Sequence, residues 1–200
     1  MAQSENMGAV HCGCANRYLS LFLMPDYITP KISIEQAREI LQSPPGLLKK
    51  KRFLNKLELF HLPSYIIDVQ ISTSKEQKTQ SLCVDAVLGS FAFFESAESS
   101  STPPLYFKTC PFFLSDDTVQ QKAVEEYRRY LLRSGLKMRF KFQVEQVLDS
   151  HPVYYPFWIG YFKRKGKIDF DVIDAVAGVH QGALMRPVFI KALLGETETT

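Results

Sequence analysis

Val84-Asp85-Ala86-Val87-Leu88-Gly89 recurs as Ile173-Asp174-Ala175-Val176-Ala177-Gly178, with Asp85 to Asp174 and Gly89 to Gly178 both 89 residues apart. Upstream, His61-Leu62-Pro63-Ser64-Tyr65-Ile66-Ile67 matches Tyr154-Tyr155-Pro156-Phe157-Trp158-Ile159-Gly160, with the prolines 93 apart. Earlier again, Met24-Pro25-Asp26-Tyr27-Ile28-Thr29, leading into Ile34 to Leu41, matches Cys110-Pro111-Phe112-Phe113-Leu114-Ser115, leading into Gln120 to Tyr127. Pro25 to Pro111 and Ala37 to Ala123 are both 86 apart. Three blocks in one order, with offsets that change where loops would fall, read as an internal duplication.

Each block has a physical meaning. Thr29 and Ser115 suit a helix N-cap, with Pro30 at the first helical position and Asp116 and Asp117 at the positive end of the helix dipole. The first helix groups Ile34, Ala37 and Leu41 and stops at Ser43-Pro44-Pro45-Gly46. The second groups Val119, Ala123, Tyr127, Tyr130 and Leu131 and stops at Gly135. Period-two strands follow, with Tyr65, Ile67, Val69 and Ile71 in one copy and Met138, Phe140, Phe142 and Val144 in the other. The repeating unit is expected to be a helix followed by three strands. The expected fold class is therefore α+β: two tandem helix-plus-antiparallel-sheet repeats, residues 18–94 and 105–195, packed as one pseudo-symmetric body. A Ser/Pro-rich linker, 95–104, joins them.

The chain's 200 residues are 46% hydrophobic, enough to build a core without metals or disulfides. A formal charge of +3 demands no anionic partner. The four cysteines, Cys12, Cys14, Cys83 and Cys110, have no framework spacing and read as reduced thiols, which points to the cytoplasm. The apolar stretch Tyr18 to Met24 has a single positive charge before it, Arg17, and no small-residue cleavage site after it, which makes a poor signal peptide, and it is too short to span a bilayer.

A helix followed by a tyrosine-bearing strand and a strand closing on Val-Asp-Ala-x-x-Gly resembles the PepSY-type, cystatin-like α+β unit. Val153-Tyr154-Tyr155-Pro156-Phe157-Trp158, downstream of Pro111 to Ser115 and its helix, resembles a repeat in bacterial and archaeal zinc-ribbon proteins. The resemblance implies a fold and no chemistry. Those proteins carry paired Cys-x-x-Cys knuckles, whereas this chain offers only His11-Cys12-Gly13-Cys14, half a ligand set, so no metal or other cofactor is expected.

Asp85 and Asp174 could be functional carboxylates, but an Asp four residues before Gly89 or Gly178 suits a turn in which the acid accepts backbone N–H bonds. Tyr65, Tyr154, Tyr155, Phe157 and Trp158 form the candidate partner or ligand surface. Strand alternation puts Phe157 and Trp158 on opposite faces, so the second repeat needs two covers. The basic runs Lys49 to Arg52 and Arg128 to Lys141 read as solvated faces, diluted by Glu125 beside Arg129, and argue against nucleic acid. The chain is expected to be a non-enzymatic protein-binding or scaffold protein that meets another protein or itself. The alternative is a small-molecule binder or enzyme using an apolar cavity between helix and sheet.

Overall fold

The computed structural model describes residues 24–43, 52–72, 76–138, 143–164 and 166–195. They form an α+β fold: one seven-stranded mixed sheet and three helices in the order β1 (Asp26–Ile28), α1 (Ile34–Gln42), β2 (Leu54–Ser72), β3 (Gln77–Asp85), β4 (Phe91–Phe93), β5 (Ser99–Ser100), α2 (Asp116–Met138), β6 (Gln143–Arg164), β7 (Lys167–Asp174) and α3 (Arg186–Leu194).

The sheet is built on one long antiparallel ladder. β2 pairs with β6 from Leu54↔Phe162 to Ser72↔Gln143. On the outer side of β2, β3 pairs with residues 64–72, and β4 extends the sheet through β3. On the outer side of β6, β7 pairs with residues 157–164, and β1 runs parallel to Val153 and Tyr154. Each half of the chain thus has one long strand where two shorter ones were expected. The prolines show how such a strand survives. Pro63 O accepts from Ala86 N and Pro156 O from Ala175 N, so each proline's missing donor also faces the outer edge, where β3 or β7 has just ended.

Other sequence expectations shift as well. The cap of α1 is Ser33, not Thr29: its hydroxyl accepts from Gln36 N, and the Gln36 side chain accepts from Ser33 N, completing a capping box. Ser115 precedes α2, with its hydroxyl facing Thr118 N at 3.4 Å. Ser33 and Ser115 are 82 residues apart, so the 86-residue alignment of the helices is one turn out. α2 runs through Gly135 to Met138, because a glycine weakens a helix without obliging it to stop. The strand expected from Met138 begins at Gln143; Phe140 and Phe142 lie outside the described residues. Within 95–104, Ser99 and Ser100 pair with β1 as β5.

Both faces of the central ladder are buried. Alternation sends Leu57, Leu59, Tyr65, Ile67, Trp158 and Phe162 to one face, where α1 and α2 both lie. Ala37 and Leu41 of α1 pack with Trp158, Phe162, Ile173 and Ala175. Val119, Ala123, Tyr127 and Leu131 of α2 pack with Tyr65, Ile67, Val69 and Val84. Each helix therefore lies across strands of both halves, α1 on β2 as well as β6 and β7, and α2 on β6 as well as β2 and β3. On the other face, Phe60, Leu62, Ile66, Tyr155, Phe157 and Ile159 cluster with Val188, Phe189 and Ala192 of α3, a helix the sequence reading did not anticipate.

Candidate functional site

The two aspartates are bound into turns. Asp85 Oδ1 accepts from the backbone N–H groups of Val87, Leu88 and Gly89, and Oδ2 accepts from Ser90 at 2.6 Å. Gly89 has φ +85°, and Gly178 has φ +72°. Asp174 Oδ1 accepts from Val176 and Ala177 at 2.7 and 2.9 Å, and Tyr155 donates its hydroxyl to Oδ2 at 3.0 Å. These carboxylates spend their lone pairs on structure. Burial and the neighbouring Asp174 carboxylate push the Tyr155 hydroxyl well above the usual phenol range.

The aromatic residues singled out in the sequence do not form a surface. Tyr65, Tyr155, Phe157 and Trp158 are all core residues, because two helices cover one face of the ladder and α3 the other. Trp158 donates Nε1–H to Ile32 O at 2.8 Å, which satisfies its one polar atom. Tyr154 alone is half-buried. Its ring stacks on Tyr27 at 5.2 Å and meets Phe107 and Phe112 edge-on.

That contact leads to residues the sequence reading missed. His61 is 1% exposed on the helix-covered face, its ring 5.2 Å from Phe107, and its buried Nδ1 has no hydrogen-bond partner. Burial lowers its pKa to about 4, so the imidazole is neutral at pH 7. Glu58, on the opposite face, receives Lys56, Lys108 and the Tyr161 hydroxyl. Burial alone would raise its pKa, but hydrogen bonds from Lys108, Lys56 and Tyr161 outweigh it and bring the value to about 2. Neither cluster carries a sequence motif. Each joins residues brought close only by the fold.

The remaining chemistry is muted. Burial pushes the thiols of Cys83 and Cys110 up to about 12, far from nucleophilic range. His11, Cys12 and Cys14 lie outside the described residues, as do Lys49, Lys50 and Lys51. Among the described residues no group of three or more His, Cys, Asp or Glu side chains could hold a metal. Arg52 is spent on Asp171, Leu41 O and the Phe162 ring, and Arg129 on Glu125 and Glu126. A cavity of about 220 Å³ opens between β7 and α3, lined by Phe170, Asp171, Val172, Arg186 and Phe189 among others. Arg186 is held there by Asp169, Phe170 O and the Phe170 ring. No described helix is long and apolar enough to cross a membrane. Compared with protein-family models, curated proteins and solved structures, the chain matches none.

Proposed function

We propose that this chain is a duplicated, non-enzymatic scaffold, working in the cytoplasm, that binds another protein or a second copy of itself through the outer face of α3. The carrying observation is that the outer side of α3 carries exposed apolar residues beside its two basic ones, Arg186 and Lys191. Val188, Phe189 and Ala192 sit in the core, while Ile190 and Leu194 point outward, with Leu184 just before the helix 90% exposed. A surface helix normally presents a mostly polar outer face, and large apolar residues gathered there mark a surface that a partner can cover.

The duplication supports the scaffold reading. Lys31 N and Ile32 N donate to Ala175 O, and Phe113 N and Leu114 N donate to Ala86 O, so the segment before each helix ties to the other half's turn. Leu62 and Tyr155, 93 residues apart like the matched prolines, pair with each other, the register that a local twofold axis through that pair would give. On this reading, repeats 18–94 and 105–195 form one pseudo-symmetric body whose helices each pack across both halves, of the PepSY-type, cystatin-like class. For the alternative of a ligand cavity between helix and sheet, the space beside Arg186 is smaller than the roughly 300 Å³ at which small-molecule sites begin.

A photo-crosslinking residue at position 194, 77% exposed, tests the proposal without disturbing the core. The expected result is a protein adduct that Ile190→Glu abolishes. A chain that sediments as a monomer at every concentration and gives no protein adduct from this helix overturns it.

A further inference from the structure

On the face shared by α1 and α2, His61, Pro63, Tyr154 and Pro156 lie between the two helices' footprints. Segment 103–109 covers His61. Phe107 sets its ring edge-on to Tyr27 at 5.1 Å and to Tyr154 at 4.8 Å, and tilted on His61 at 5.2 Å. The segment is tied down by His61 N–H donating to Lys108 O, by the Thr109 hydroxyl donating to His61 O, and by Lys108 on Glu58. Its other two large apolar residues, Leu105 and Tyr106, are 99% and 89% exposed. Phe107, itself 36% exposed, is thus the only ring of Leu105-Tyr106-Phe107 packed against His61, and it brings no polar atom to the unpaired Nδ1 beside it.

We propose that this nest is a binding site for an uncharged aromatic ring bearing a hydroxyl, a phenol, which takes the seat of Phe107 and hydrogen-bonds His61 Nδ1. Three rings dictate a flat aromatic ligand, since edge-on and offset contacts between rings are favourable in themselves. The hydroxyl follows from the imidazole: a hydroxyl donates or accepts, so it satisfies Nδ1 in either tautomer, whereas phenylalanine leaves the buried atom unpaired. The ligand must be uncharged because burial keeps His61 neutral and raises the Tyr154 hydroxyl, leaving no opposite charge in the nest. Release of Phe107 leaves Leu105 and Tyr106 where they already are, in solvent, while Lys108 and Thr109 keep the segment attached. The site lies on the opposite face of the sheet from α3 and stands whether or not α3 binds a partner.

The test is titration of p-cresol and of toluene into full-length chain carrying Phe107→Ala, followed by backbone NMR. Saturable shifts are expected at Tyr27, His61 and Tyr154, with p-cresol bound at least tenfold tighter than by the unsubstituted chain and tenfold tighter than toluene. Adding His61→Leu should erase the preference over toluene. N-acetyltyrosinamide binding as well as p-cresol would assign the ring to a polypeptide side chain; binding tenfold worse would assign it to a free phenol. Equal affinity for p-cresol and toluene, or no saturable binding, overturns the proposal. Should Phe107→Ala fail to fold, Phe107→Tyr supplies the hydroxyl from the chain itself. The ring nitrogen resonances of His61 should then move, and unchanged resonances overturn the proposal.

Discussion

At the scale of the residue, the turn glycines and the buried ionisable groups make separable predictions. Gly178 holds φ +72°, and a Cβ there would lie 3.2 Å from Ile32 Cδ1, so both backbone strain and crowding oppose a side chain. Gly178→Val is expected to destabilise by more than about 1 kcal/mol in denaturant melts, the typical cost of a point substitution; a neutral result removes the constraint. His61 acts through pH. Its folded pKa of about 4 lies below the ordinary value of 6.5, so the unfolded chain takes up the proton first as pH falls. Stability is complete above pH 6.5 and is lost between 6.5 and 4, by on the order of 3 kcal/mol. Glu58, with a folded value near 2 against 4.5, gives stability that is present above pH 4.5 and lost between 4.5 and 2. His61→Leu should flatten only the upper window, and Glu58→Gln only the lower.

At the scale of the element, α1 approaches β6 closely because Gly160 lets it. A Cβ on Gly160 would lie 2.9 Å from both Leu41 Cδ1 and Leu54 Cδ1. In the other half the sizes are reversed, with Ala123 on α2 and Ile67 on β2 in one cluster. Gly160→Ala should therefore destabilise, and Leu41→Ala should cost about 2–5 kcal/mol. Together they should cost less than the sum, because the new methyl partly fills the space that Leu41 vacates. Full additivity in melts would deny the contact. This packing also marks how much of the fold was legible. Strand alternation in Tyr65 to Ile71 is local, and so are an Asp and a Gly four residues apart, which is why both could be read from the chain. That β2 and β6 run unbroken through Pro63 and Pro156 depends on which edge each proline faces. The apolar run of α3 has no amphipathic period to announce it. His61 and Phe107 are 46 residues apart with no motif between them, so the aromatic nest is visible only once the sheet is assembled.

At the scale of the whole molecule, the packing of each helix across both halves makes them depend on each other more than a linker would imply. Trp158 lies on the second half's strand, yet it is covered by Ala37 and Leu41 and hydrogen-bonded to Ile32 O, all from the first half. Tyr65 and Ile67 of the first half are covered in turn by Val119, Ala123 and Tyr127 of the second. The β2–β6 ladder between them runs the length of β2 with three register shifts, so separating the halves would expose its hydrogen-bonding edge as well as both helix-covered clusters. Burial of a side chain the size of tryptophan contributes on the order of 2–3 kcal/mol by itself. A protease site placed at residues 101–103, past the β1–β5 pairing, should therefore cut the connection without releasing either fragment. The cleaved protein should elute as one 1:1 complex, with the emission of its single tryptophan still blue-shifted. Denaturant should then separate the fragments and unfold them in one transition. If the fragments part in native buffer and the second keeps the blue-shifted emission, Trp158 has its cover within its own half and the mutual dependence is refuted.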